Sequence, residues 1–163
     1  MPKIVIGVMG PGSEATDFDL KNAYEIGKLI AQKGFVTLTG GRSSGVMEAA
    51  LKGAKDAGGE TLGILPFNDK SDASPYADIV IVTAMMSARN NINVLSSDVV
   101  VACGIEAGTL SEIALALKAN KKVILVSQNE IGNKFLEEIG KGNLFLAHSP
   151  TKALQLTEKF LGE

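Results

Sequence analysis

The chain alternates short apolar runs with longer segments in which apolar positions recur every three or four residues. The runs, rich in Val and Ile, fall near residues 3–9, 35–39, 60–65, 78–83, 98–102 and 122–126, with a weaker one at 144–147. The segments between them predict helices over 15–33, 44–57, 87–96, 109–119, 130–139 and 150–161. Residues 78–82 and 98–102 lack the polar alternation of a half-exposed strand, which predicts burial on both faces. Strands alternating with helices of this length imply right-handed crossovers and a parallel sheet. The expected fold is α/β, a three-layer, doubly wound parallel sheet of six to seven strands. It forms a single domain over residues 1–163, without repeat or linker. The polar connection 66–77 reads as a solvated loop rather than a moving flap.

Composition narrows the function. Lys+Arg total 16 against Asp+Glu 18, a net charge of −2, which argues against a general nucleic-acid or anionic-membrane binder. One cysteine and one histidine leave no internal disulfide and no thiolate or imidazole metal cluster. No apolar run reaches the roughly 18 residues of a membrane span, and the first strand begins too early for a signal peptide. A cytoplasmic protein is the expectation. Glycine stands out, with 18 of 163 residues against an average usage of about 7%.

Seven of those 18 glycines, at positions 10, 12, 40, 41, 45, 104 and 108, follow predicted strands at one edge of the sheet. Open α/β sheets bind ligands at that edge. Gly10-Pro11-Gly12-Ser13-Glu14-Ala15 has dinucleotide-fingerprint spacing, but no carboxylate ends the second strand to hold a ribose. Gly40-Gly41-Arg42-Ser43-Ser44-Gly45 has P-loop glycine spacing, with Val46 in place of the lysine. What remains is main-chain N–H groups at helix starts, suited to a phosphate-bearing ligand.

The 16 basic residues include only two arginines, Arg42 and Arg89, both just after predicted strands. A planar guanidinium suits bidentate phosphate or carboxylate recognition; two structural ion pairs would account for them as well. Thr109-Leu110-Ser111-Glu112 fits a capping box, which needs no ligand. It equally suits a carboxylate facing Arg89 across a cleft, able to stabilise an oxocarbenium-like sugar or activate water.

Taken in order, these segments resemble the LOG family of Rossmann-fold proteins, also called lysine decarboxylase-like, and its DprA/Smf-related relatives. Ile6-Gly7-Val8-Met9-Gly10-Pro11-Gly12-Ser13 resembles the opening strand and turn. The segment from Thr39 to Ala50 resembles G-G-G-x-x-G-x-M-x-x-x-A, and Met86-Ser87-Ala88-Arg89-Asn90 stands for M-H-x-R-K. Gly104-Ile105-Glu106-Ala107-Gly108-Thr109-Leu110-Ser111-Glu112 stands for P-G-G-x-G-T-x-x-E. The resemblance implies a Rossmann-like fold and a nucleoside 5′-monophosphate phosphoribohydrolase, cleaving the N-glycosidic bond to free base and ribose 5-phosphate. Arg89 and Glu112 would be the catalytic pair. Gly10, Gly12, Ser13, Gly40, Gly41, Arg42, Ser43, Ser44, Gly45, Met86, Asn90, Gly104, Gly108 and Thr109 would bind ligand and phosphate. No metal and no redox cofactor are implied, and lysine decarboxylation has no support in the residues.

The signature also departs from the family. Ile105 and Glu106 replace two glycines, at about 1–2 kcal/mol if either needs a left-handed backbone. Glu106 adds negative charge where phosphate is expected; Asn90 replaces a lysine and Ser87 a histidine. The alternative within the same superfamily is a non-catalytic carrier or sensor of a nucleotide-like or pterin-phosphate ligand, as in the molybdenum cofactor carrier proteins. The resemblance also points to a homodimer. A mean hydropathy of +0.19 and the apolar stretches 85–95 and 113–117 agree with that. Cys103 reads as a packing residue and His148 as a surface one.

Overall fold

The computed structural model describes residues 1–162. Among them the strands are β1 (Val5–Met9), β2 (Val36–Thr39), β3 (Thr61–Leu65), β4 (Ile79–Val82), β5 (Val99–Cys103), β6 (Val123–Val126) and β7 (Leu144–Leu146). The α-helices are α1 (Asp17–Gln32), α2 (Gly45–Asp56), α3 (Arg89–Leu95), α4 (Ala107–Lys118), α5 (Glu130–Gly140) and α6 (Pro150–Leu161). One 3-10 turn, Met86–Ala88, leads into α3. No helix among the described residues is long and apolar enough to cross a membrane.

All seven strands form one parallel sheet in the order β4-β3-β2-β1-β5-β6-β7. One face buries Ile6, Val8, Val99 and Val101 against Ile26 of α1, Ala50 of α2 and Ala153 of α6. The other buries Met9, Leu38, Val100 and Leu125 against Val94 of α3, Ile113 of α4 and Leu136 of α5. The three-layer, doubly wound, Rossmann-like expectation holds.

Local chemistry sets the helix starts. Thr16 and Asp19 form a capping box at the head of α1: Asp19 N–H donates to Thr16 Oγ1 at 3.2 Å and Thr16 N–H to Asp19 Oδ2 at 3.0 Å. Ser149 caps α6, with Pro150 at its first position. α2 follows a tight turn at Gly45, whose φ of +54° and proximity to the Pro11 and Gly12 carbonyls exclude any side chain. This turn brings the start of α2 against the loop after β1.

Two expectations are corrected. Residues 78–82 are not buried on both faces, because β4 is an edge strand, with Ile79, Ile81 and Val82 exposed. The β3–β4 connection contains no helix to pack on it. That connection is also not simply solvated. Residues 68–71 are exposed, but Pro66 and Ser74 are buried. Ser43 N–H donates to the Asp72 carbonyl at 2.9 Å and Ser74 N–H to the Gly41 carbonyl at 2.8 Å, fastening the segment to the loop after β2.

Candidate functional site

Because β1 sends the chain outward to β2 and the chain returns to β5 at its other side, a crevice opens outside the carboxyl ends of these two strands. A cavity of about 300 Å³ occupies it. Gly10, Gly12 and Ser13 come from the loop after β1, Arg42 from that after β2, and Pro66 and Phe67 from that after β3. Met86, Ser87, Arg89 and Asn90 form a third wall; Glu106, Gly108, Thr109 and Glu112 form the fourth, at the head of α4, and Met47 reaches in from α2.

The expected residues thus separate into two sets. Gly10, Gly12, Ser13, Arg42, Met86, Arg89, Asn90, Gly108, Thr109 and Glu112 line the cavity. Gly40, Gly41, Ser43, Ser44, Gly45 and Gly104 lie outside its wall. A side chain at Gly40 would come within 2.9 Å of Arg89 Nη2, so glycine there gives the guanidinium its room. Met47, Pro66, Phe67, Ser87 and Glu106 also line the cavity without having been assigned to it. Phe67 and Pro66 lie at the end of a connection that reads as polar, so only tertiary structure could place them.

Arg89 and Glu112 share the floor. Both are buried, at the first position of α3 and one turn into α4. Arg89 Nη1 donates to Asn90 Oδ1 at 2.6 Å, Asn90 Nδ2 to Ser111 Oγ at 2.8 Å, and Ser111 Oγ to the Gly108 carbonyl at 2.6 Å. This relay ties the heads of α3 and α4 together. It explains Asn90, since a lysine there offers no acceptor to Arg89. Arg89 Nη2 donates to the Gly40 carbonyl at 3.4 Å, while its Nε has no partner.

Burial pushes the Glu112 carboxyl up to about 7, against opposing contributions from the Asn93 amide and the Arg89 charge. Asn93 Nδ2 donates to Glu112 Oε1 at 3.2 Å. Asn93 itself is fully buried, a site residue that the sequence motifs do not reveal. Its only signal was a polar residue between Ile92 and Val94. Burial lowers Arg89, with the Glu112 carboxylate opposing that shift and Arg42 adding to it. The capping-box alternative fails. α4 starts two residues before Thr109, with Glu106 as its N-cap, and Thr109 Oγ1 is buried without a partner. Thr109 and Glu112 belong to the cleft instead.

Neither Ile105 nor Glu106 has a left-handed backbone, so replacing the two glycines costs no conformational strain. The strain lies across the cleft, where Ala84 (φ +53°) and Met86 (φ +49°) are held by bonds to the Phe67 and Pro66 carbonyls at 2.9 and 3.0 Å. Arg42 meets both expectations for it. It lines the cavity, yet its Nε donates to Asp72 Oδ2 at 2.5 Å and its guanidinium lies over the Phe67 ring. The Cys103 thiol is fully buried and pushed far up by burial, as a packing residue requires, and His148 is exposed.

Known proteins carry the same architecture. The structure of the molybdenum cofactor binding protein from the phototrophic bacterium Rippkaea orientalis is 52% identical, with a TM-score of 0.97 over 99% of both chains. The molybdenum cofactor carrier protein of Chlamydomonas reinhardtii is 47% identical, with a TM-score of 0.93 over 99% of this chain and 100% of that one. An uncharacterized protein of Archaeoglobus fulgidus is 48% identical over 123 residues, 76% of this chain and 80% of its own length. Residues 3–154 match the SLOG cluster4 family, and the chain belongs to that family.

Proposed function

We propose that this protein binds and carries a pterin-phosphate ligand of the molybdenum cofactor type in the cleft between β1 and β5. The observation that carries this reading is near-complete coincidence, at 52% and 47% identity, with two proteins described as binding or carrying that cofactor. The cleft chemistry agrees. Gly12 and Ser13, whose main-chain N–H groups donate to no other group among the described residues, line the cavity together with Arg42 and Arg89, which suits an anionic group. Met47, Phe67 and Met86 offer apolar and polarizable surface for a flat heterocycle.

A second reading rests on one feature, the retained pair of Arg89 and Glu112. A carboxyl near 7 is poised for proton transfer at neutral pH, so phosphoribohydrolase activity on nucleoside monophosphates is the competing function. Incubation with AMP, GMP, IMP and CMP, followed by chromatography for free base, separates the two. The carrier reading expects binding of a pterin phosphate, seen as a rise in melting temperature, and no base release. Base release that stops in Glu112→Gln overturns it in favour of hydrolysis.

We further propose that two copies associate through α3 and α4. Leu95 and Leu110 are exposed on these helices, and a shallow hollow between them is lined by Ala88, Asn91, Leu115 and Ala119. Light scattering at micromolar concentration is expected to give twice the chain mass of 17.0 kDa; the monomer mass refutes the pairing.

A further inference from the structure

The cleft is lined by the loop after β1 and by the head of α4, and a carboxylate stands at the second. At the β1 end, the Gly12 and Ser13 amides donate to no other group among the described residues, and Arg42 lines the same cavity. At the α4 end, Glu106 caps the helix in an extended conformation without using its side chain as a cap. Its carboxylate lies over Gly108, where an added Cβ would come within 3.0 Å of Glu106 Oε1. No hydrogen bond or ion pair neutralises it among the described residues. Arg42 is held by Asp72, and Arg89 is engaged by Asn90 and Gly40.

An unpaired carboxylate in a cleft wall repels a phosphate and accepts only from donors. Thr109 Oγ1, three residues on in the same helix head, is buried without a partner, and Arg89 Nε in the same cavity wall also lacks one, so the cleft has polar groups left for a ligand edge. We infer that the ligand lies with its phosphate at Gly12, Ser13 and Arg42, and with a 2-amino-4-oxopyrimidine edge on Glu106. Such an edge, common to pterins and guanine, presents a ring N–H and an amino group side by side. The two oxygens of one carboxylate accept from both. Adenine offers a ring acceptor instead, and hypoxanthine lacks the amino group. This orientation rests on the ligand-binding reading above and is opposite to a phosphate seated on the α4 signature loop.

The test measures dissociation constants by calorimetry for 6-hydroxymethylpterin monophosphate, GMP, IMP, AMP and inorganic phosphate, using the wild-type chain and Glu106→Gln. Glu106 is partly exposed and unpartnered, so the variant is expected to fold, which its melting temperature verifies. The wild type is expected to bind the pterin phosphate and GMP at least tenfold more tightly than IMP and AMP. Glu106→Gln is expected to lose at least tenfold for the first two and to leave the others within threefold. The ratio of pterin phosphate to GMP then identifies which source of the shared edge the cleft prefers. Equal wild-type affinity for GMP and AMP overturns the inference while leaving the ligand-binding reading intact. Uniform tightening of every phosphate in Glu106→Gln also overturns it, because it places phosphate beside Glu106. Failure of all five to bind overturns both.

Discussion

Glu112 decides how the cleft behaves with pH. Its carboxyl titrates at about 7 in the fold against 4.5 in the open chain, because burial outweighs the help from Asn93 and Arg89. The folded state therefore holds its proton more tightly than the unfolded state, and stability falls as pH rises from about 4.5 to about 7. The full difference corresponds to about 3 kcal/mol as an upper bound. Glu112→Gln keeps the shape and removes the titration. It is expected to be more stable than the wild type at pH 8 by about 1–3 kcal/mol, because no ionised carboxylate is then buried, a gain reduced by the compensating charge that Arg89 loses. The advantage should vanish below about pH 4.5. Denaturant titrations at pH 4, 6 and 8 measure this, and a difference constant across the three contradicts the burial argument.

At this scale the sequence exposed the groups with distinctive chemistry and hid their supports. Arg89 was legible because arginine is scarce here, and Glu112 because it follows a glycine-rich turn. Asn93, which holds Glu112, sits in an apolar helix segment like any structural amide. Glu106 was legible as a charge in the wrong place, but its backbone and its lack of a partner required the fold.

Between elements, the closest approach is that of α1 and α2. An added Cβ at Gly27 would meet the Ala50 carbonyl oxygen at 2.0 Å, and one at Gly53 would meet that of Tyr24 at 1.9 Å. These two glycines are reciprocal: each lets the other helix's backbone in. Alanine in a helix ordinarily gains about 1 kcal/mol over glycine. Here the backbone clash reverses the sign, and Gly27→Ala is expected to cost about 2 kcal/mol or more, seen as a lower urea midpoint. A midpoint raised by the substitution would refute the close packing. The sequence showed only two glycines within helical patterns, with no hint that they face each other.

The opposite extreme is β4. Its Ile79-Val80-Ile81-Val82 run is as uniformly apolar as the buried β5, so hydrophobicity alone could not tell an edge strand from a central one. Strand order separates them. Ile81→Thr is expected to change stability by less than about 0.5 kcal/mol, whereas Val101→Ala should cost about 2 kcal/mol. Equal losses in thermal melts would contradict that assignment.

For the molecule as a whole, a regular alternation of strands and helices made the sheet legible, including its parallel sense and the edge that carries the site. Strand order and the course of the 66–77 connection were not, because both depend on long-range pairing that local pattern does not encode. The cleft follows from that order: β1 and β5 meet at the reversal, and the segments after five strands converge on the same 300 Å³. In that space two arginines, two carboxylates and a row of free amides are assembled from segments up to a hundred residues apart.

The central claim is that this cleft holds a pterin phosphate without consuming it. The direct measurement is to purify the protein from cells that make the molybdenum cofactor, then quantify molybdenum and heat-released pterin per chain by mass spectrometry. Pterin is expected to approach one per chain in the wild type and to fall at least tenfold in Arg89→Ala. A wild-type protein free of pterin that instead releases base from nucleoside monophosphates would contradict it.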